Sequence, residues 1–155
     1  MERIEVLSVD SIGERAECLP RQHSNFLLLL AWDAPEVDKQ ELTDIFRPLV
    51  DSGPVYFCAW GSNCEAVHDA VDQCDIEVHE EAGREISADS ILLTTWHTGE
   101  SLAEALWFFK VCALPAESFT RADCDRFAVA VGSSEWAAET KKSVESIDHD
   151  ASVDT

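Results

Sequence analysis

Three tryptophans occupy equivalent places in the sequence, each directly after a short run of apolar or β-branched residues. They stand in the segments 30–33, 58–61 and 94–97. An indole has a flat apolar face and one hydrogen-bond donor, so three of them around a cavity could stack on a ring such as a base or a nicotinamide. The same side chains would also suit a half-buried rim over the core, and we favour that interpretation because nothing in the sequence makes them face one another. The ligand-binding residues predicted at this rim are Trp32, Trp60, Ser62, Asn63, Thr95 and Trp96.

Cysteine and histidine residues near these tryptophans suggest two further chemistries. Cys64 and His68 are four residues apart on a predicted helix, and together with His97 they would provide sulfur and nitrogen ligands for zinc. Alternatively, Cys64 in the first turn of its helix would be a nucleophile, with His97 as general acid–base. Asp33 or Glu100 would then orient the imidazole. Apolar neighbours on the same helix favour a structural role for Cys64, so we expect neither a metal nor a cofactor and leave open whether the chain is an enzyme.

The segment from Ser101 to Leu114 is apolar over most of a helical surface. One apolar stripe would pack on a sheet, but further apolar residues widen that stripe well beyond what sheet packing needs. A helix that is apolar on nearly all sides is either deeply buried or shared with a partner. We therefore expect contact with a protein partner or with a second copy of the chain, unless the N-terminal segment or the last helix, with Trp136, covers this surface. The predicted contacts are Leu106, Trp107, Phe108 and Val111.

The chain is strongly acidic. Its 155 residues include 31 acidic and 11 basic side chains, which gives a formal net charge of −20. A charge of this sign repels phosphate backbones, so we expect no nucleic-acid binding through a basic face. The acidic residues are scattered among apolar ones, which is typical of a solubilising surface or of adaptation to a high-salt cytoplasm. The functional alternative is an acidic surface that binds a basic partner.

The sequence carries no signal for export or for membrane insertion. Its beginning lacks the basic and apolar regions of a signal peptide. The longest apolar run, Phe26 to Trp32, is much shorter than the roughly 20 residues that span a bilayer. We therefore expect a cytoplasmic protein whose six cysteines are reduced thiols.

Strands alternate with helices along most of the chain. Strands are predicted at 4–9, 26–32, 55–60, 91–96 and 126–131, with a small edge strand near 76–78, and helices at 37–50, 62–74, 101–114 and 133–144. This alternation predicts βαβ crossovers and a mainly parallel sheet of four or five strands with helices on both faces. The architecture resembles flavodoxin-like or Rossmann-like α/β domains in outline, although no GxGxxG, Walker A or GxSxG motif is present. Residues 1–144 are predicted to form this single three-layer domain, and 145–155 an acidic tail with little order.

Two helix starts are predicted at the edge of the sheet where the tryptophans lie. Ser62 with Glu65, and Ser101 with Glu104, have the spacing of a capping box. The free amides of these helix starts would suit a phosphate or a carboxylate. Every α/β protein has such helix starts, so this pattern is a weak indication of a ligand.

Two functions follow from these features. The preferred one is a small acidic α/β module that acts through protein–protein interaction in a regulatory or accessory role, because no catalytic or nucleotide-binding motif is present. The alternative is a small enzyme or ligand-binding domain that uses the crevice beyond the carboxyl ends of the strands, where ligands bind in open α/β sheets. That alternative requires the three indoles, His97 and Asp33 to line one pocket.

Overall fold

The computed structural model describes residues 3–14, 25–85, 87, 91–119 and 124–153. Five strands form one sheet: β1 (Ile4–Val9), β2 (Phe26–Ala31), β3 (Pro54–Trp60), β4 (Leu93–Trp96) and β5 (Asp125–Val131). The helices are α1 (Lys39–Asp51), α2 (Cys64–Glu81), α3 (Leu102–Val111) and α4 (Ser134–Val153), with a 3-10 turn at Ile12–Glu14. As far as the structure describes the chain, no helix is long and apolar enough to cross a membrane.

All five strands are parallel, in the order β1-β5-β2-β3-β4. The predicted three-layer α/β class is confirmed. Flavodoxin-like sheets have the order 2-1-3-4-5. If strand 1 of that order is renumbered as strand 5 and every other strand number is lowered by one, the result is 1-5-2-3-4, the order found here. The two orders are therefore related by circular permutation: the strand that comes first in a flavodoxin-like chain corresponds to β5, which comes last in this one.

The helices divide between the two faces of the sheet. α1 and α2 cover one face, where Phe46 and Phe57 lie at the centre of the core. α3 and α4 cover the other, where Leu106 and Phe109 are fully buried. Every residue of β2 is buried, as its continuous apolar sequence predicts for a strand covered on both sides. The neighbouring strands β2 and β5 are followed by helices on opposite faces, and this divergence opens a crevice between their carboxyl ends.

The helix starts follow the sequence in one case and depart from it in another. α3 begins with the predicted capping box: the Ser101 hydroxyl accepts from the Glu104 amide, and the Glu104 carboxylate accepts from the Ser101 amide. The predicted capping box at Ser62 is wrong. The N-cap of α2 is Asn63, in the left-handed region with φ 61° and without a side-chain cap. The chain turns sharply after β3, and the Ser62 amide is bonded to the Asp33 carboxylate.

Several predicted boundaries also differ from the structure, and α3, for example, ends at Val111 rather than at 114. The small edge strand at 76–78 is wrong, because these residues lie within α2. Cys74, Asp75 and His79 continue the buried face of that helix at helical spacing. α4 continues past Val144 to Val153, since residues 145–153 contain neither glycine nor proline to end it.

Candidate functional site

A crevice of about 580 Å³ lies beyond the carboxyl ends of β3 and β4, and we call it the edge crevice. The turn between β3 and α2 forms one wall, and the loop between β4 and α3 forms the other. The structure thus gathers seven of the residues singled out in the sequence. They are Asp33, Trp60, Ser62, Asn63, Cys64, His97 and Glu100.

His97 is buried at the edge crevice, with 5% of its surface exposed. Its Nδ1 lies 2.7 Å from Glu100 Oε2, and its Nε2 lies 3.0 Å from Thr95 Oγ1. The Phe108 ring packs on the imidazole with the ring centroids 4.8 Å apart. The Glu100 carboxylate therefore orients the His97 imidazole. Because both ring nitrogens are engaged within the protein, the imidazole holds the loop after β4 in place.

The proposed cysteine–histidine pair is not formed. Cys64 is 3% exposed, and its sulfur lies 3.4 Å from the Thr98 hydroxyl. Within the described residues, the ring nitrogens of His97 bond to other groups. Asp33 does not orient the imidazole either: its Oδ1 accepts a hydrogen bond of 2.8 Å from the Ser62 amide and so links β2 to β3.

The candidate zinc ligands also do not converge. His68 lies beside β4, with its Nε2 3.4 Å from Asp72 Oδ2 and its ring 4.5 Å from that of Trp96. Cys64 and His97 lie at the edge crevice instead. Among the described residues, no group of three or more His, Cys, Asp or Glu side chains is arranged to hold a metal ion.

The three strand-end tryptophans do not share one pocket. Trp32 packs edge-on against Phe46, on the face covered by α1 and α2. Trp60 packs edge-on against Trp136, on the opposite face. Trp96 is 44% exposed at the edge of the sheet. Simultaneous stacking of all three indoles on one ring, as the ligand-binding alternative requires, is therefore not possible in this arrangement.

The register of the sheet explains this separation. Trp60 pairs with Ala31 rather than with Trp32, and Trp96 pairs with Ala59 rather than with Trp60. Successive residues of a strand point to opposite faces, so a one-residue offset between neighbours places their side chains on alternate sides. The three tryptophans thus repeat in their position at the ends of strands, but their side chains do not point to the same face of the sheet.

A second crevice, of about 710 Å³, opens between the carboxyl ends of β2 and β5, beside the turn after β1. We call it the switch crevice. Trp32 reaches it from one face of the sheet and Trp136 from the other. Three carboxylates, those of Asp10, Asp33 and Glu135, also line it. Sequence reasoning missed this site, because nothing in the sequence placed β5 between β1 and β2.

Three large apolar side chains are exposed along α3 and just beyond its end. Trp107, Val111 and Leu114 have 53%, 47% and 57% of their surfaces exposed, and we call these three the α3 patch. Two of the four predicted contacts are less accessible than expected: Leu106 is fully buried in the core, and Phe108 is half-buried. The remaining two, Trp107 and Val111, belong to the patch.

Ionisable groups lie beneath α3 in an environment that keeps them neutral. Burial raises the pKa of Cys58 to about 12, against a weaker opposing effect of its hydrogen bond from Thr95. Burial also raises the pKa of Tyr56 to about 12. Both groups are therefore protonated at neutral pH and serve as packing and hydrogen-bonding groups. All five cysteines within the described residues are free thiols, and Cys18 lies outside those residues.

Fold and surfaces together define a class: a small three-layer α/β domain with permuted flavodoxin-like strand order and two open crevices at the carboxyl edge of its sheet. The chain belongs to the family described as "Domain of unknown function (DUF7684)", whose model matches residues 7–147. Both crevices and the α3 patch lie within the matched residues. Comparison with curated proteins and comparison with solved structures give no match.

Proposed function

We propose that this protein is a binding module that holds a basic protein partner on the α3 patch. The observation that carries the proposal is the exposure of Trp107 and Val111 on α3 and of Leu114 just beyond its end, each about half in water. The side of α3 that faces the sheet is already filled by buried residues, so the outer apolar residues do not serve the core. Large apolar side chains exposed close together in the chain are typical of interaction sites.

The spacing of the patch suits contact with another protein. Trp107 and Val111 stand at positions i and i+4 of α3, which is how a helix presents anchors to a groove or a flat surface. Leu114 follows just beyond the end of the helix. Trp107 is the largest of them, and tryptophan is enriched among the few residues that supply most of the binding energy in interfaces. We expect Trp107 and Val111 to be the main anchors, because both belong to the helix itself.

The charge of the chain favours a basic partner over a second copy of the same chain. Two copies with a formal charge of −20 each repel one another, whereas a basic protein is attracted and steered to the surface. Glu104 is exposed one turn before Trp107, so a carboxylate lies beside the apolar anchors. A basic side chain around an apolar contact on the partner would complement this arrangement.

The geometry at His97 supports this proposal against the enzymatic alternative. Both of its ring nitrogens are engaged by Glu100 and Thr95, and the sulfur of Cys64 is buried. A nucleophile and a general base must lie within hydrogen-bond reach of each other to act as a pair. The edge crevice does not place these two groups in that relation.

The proposal is tested by comparing wild-type protein with Trp107→Ser/Val111→Ser and with Ile76→Ser. Ile76 is 37% exposed on α2, so its replacement is a matched loss of an exposed apolar side chain elsewhere. Proteins retained by each immobilised variant are identified, and the affinity of each purified candidate for the three proteins is then measured by calorimetry. We expect a basic partner that binds wild type and Ile76→Ser equally and binds the double variant on the order of 100-fold more weakly.

Three outcomes would contradict the proposal. Equal affinity of the double variant and the wild type would show that the α3 patch is not the interface. A specific partner that is acidic would refute the role given to charge. A dimer seen by light scattering for the wild type, but not for the double variant, would show that the patch is covered by a second copy of the chain. Circular dichroism and the melting temperature of each variant serve as the check on folding.

A further inference from the structure

We propose that the switch crevice binds an organic cation, a guanidinium or alkylammonium group, between Trp32 and Trp136. The site goes beyond the function proposed above and shares no residue with the α3 patch. Its location is the first argument. In open α/β sheets, ligands bind at the carboxyl ends of two adjacent strands whose following helices lie on opposite faces of the sheet. β2 and β5 are that pair of strands here.

The two indoles that line the switch crevice are each held by one other aromatic ring. Trp32 lies edge-on to Phe46 at 5.9 Å between ring centroids, and Trp136 lies edge-on to Trp60 at 5.1 Å. Both tryptophans are only partly buried, so each retains surface toward the crevice. Fixed indoles attract cations through the negative potential of the ring face, and among aromatic side chains tryptophan does so most strongly.

The charged side chains that line the crevice within the described part of the chain have one sign. Asp10, Asp33 and Glu135 line it, and no lysine, arginine or histidine is present among the described residues that do so. The Asp33 carboxylate is fixed by the hydrogen bond from the Ser62 amide, so one acidic wall is held in position. Carboxylates beside aromatic faces favour a cation and repel phosphate and carboxylate ligands.

The start of α4 does not reverse this preference. A helix N-terminus attracts anions through its free amides and its dipole. Here the Ser133 hydroxyl accepts from the Trp136 amide at 3.2 Å, which satisfies one of those amides. Glu135 in the first turn of α4 already places a negative charge at the position where the helix dipole would otherwise attract an anionic ligand.

The crevice is large enough for a guanidinium or ammonium group together with its alkyl chain. Its volume of about 710 Å³ lies within the range of sites that hold small molecules. The cation can come from two sources that share this chemistry: a small free molecule, or an arginine or lysine side chain presented by a peptide. The experiment below separates them.

The test follows the five tryptophan indole N–H signals by NMR, assigned with single Trp→Phe variants. The protein is titrated with methylguanidinium, with N-acetylarginine N-methylamide, and with N-acetylcitrulline N-methylamide, which carries a neutral urea in place of guanidinium. We expect saturable shifts of the Trp32 and Trp136 signals with the cationic compounds, no such shifts with the citrulline compound, and an unmoved Trp107 signal. Binding of both cations at similar affinity would identify a site for small free cations, and binding of the arginine compound alone would identify a site for a peptide side chain.

Two variants separate a local charge from the overall charge of the chain. Glu135→Gln removes one carboxylate from the crevice, and Glu139→Gln removes one from the next turn of α4, where the residue is exposed and does not line the crevice. We expect the first variant to weaken binding by roughly three- to fivefold, as for an exposed ion pair, and the second to leave it unchanged. Unmoved Trp32 and Trp136 signals, equal shifts with the citrulline compound, or equal weakening by both variants would each overturn the proposal. These results do not depend on any binding at the α3 patch.

Discussion

Replacing Gly61 with alanine tests the turn after β3, which lines the edge crevice. Gly61 follows β3 with a φ of 120°, a conformation that residues with a side chain rarely adopt. A Cβ added at Gly61 would lie 2.7 Å from the carbonyl carbon of Trp32 and 3.3 Å from the amide nitrogen of Asp33, and closer still to the carbonyl oxygen of Trp32. Because these atoms belong to the backbone, the strand ends would have to move apart.

The size of the effect follows from the bonds at this turn. The strained φ costs about 1–3 kcal/mol once a side chain is present. Separation of the strand ends weakens the Trp32–Trp60 and Ala34–Ser62 backbone hydrogen bonds, both 3.0 Å, at about 1 kcal/mol each. We therefore expect Gly61→Ala to lower the free energy of unfolding by about 3–5 kcal/mol. For a domain of this size that corresponds to a melting temperature lower by roughly 10 °C.

The control for this substitution is Gly83→Ala. Gly83 also has a positive φ, 67°, but nothing lies within 4 Å of an added Cβ. Its replacement should cost only the left-handed strain of about 1–2 kcal/mol. Urea denaturation of the two variants and of wild type gives both numbers. If Gly61→Ala costs no more than Gly83→Ala, the close approach of β2 to the turn is not as described, and the reasoning is refuted.

Two further predictions concern the groups beneath and around α3. Because folding raises the pKa of Cys58 and of Tyr56 to about 12, their contribution to stability is complete below pH 9 and is lost as pH rises toward 12. Between pH 9.5 and 11.5, the free energy of unfolding should therefore fall less steeply in Cys58→Ala than in wild type, by about 1.4 kcal/mol per pH unit. Urea denaturation across that range measures both slopes. Equal slopes for variant and wild type would contradict the prediction. Cys112 is exposed, whereas Cys64 and Cys74 on α2 are buried. A thiol reagent should therefore modify Cys112 at once and the two buried cysteines only on unfolding. Mass spectrometry after brief labelling checks this order, and early modification of Cys64 or Cys74 would contradict the burial of α2.

The elements of this fold were largely readable from the sequence, because local patterns determine them. The apolar run of β2 and the alternation of strands and helices depend on neighbouring residues only. The edge strand predicted at 76–78 failed because a polar stretch hid the continued helical spacing of Cys74, Asp75 and His79. The order of the strands was not readable, since it depends on pairing between distant segments.

The candidate sites show the same division. Seven residues singled out in the sequence lie together at the edge crevice, because the carboxyl ends of parallel strands meet at one edge. The direction of each tryptophan was not predictable, since it depends on a one-residue offset in register between strands. Trp136 was considered as a cover for α3, but its place in the switch crevice follows from the position of β5.

The permuted strand order also governs how the chain acquires its structure during synthesis. β1 is made first, yet its only partner in the described sheet is β5, which is made last, and Ile4 pairs with Arg126. Closing so long a loop is slow because the entropy of the whole intervening chain opposes it. Until β5 leaves the ribosome, one edge of β2 is unpaired and β1 has no strand to pair with. The growing chain therefore exposes apolar strand backbone to other chains. The switch crevice therefore comes into existence only with the last strand, and no shorter nascent chain can display it.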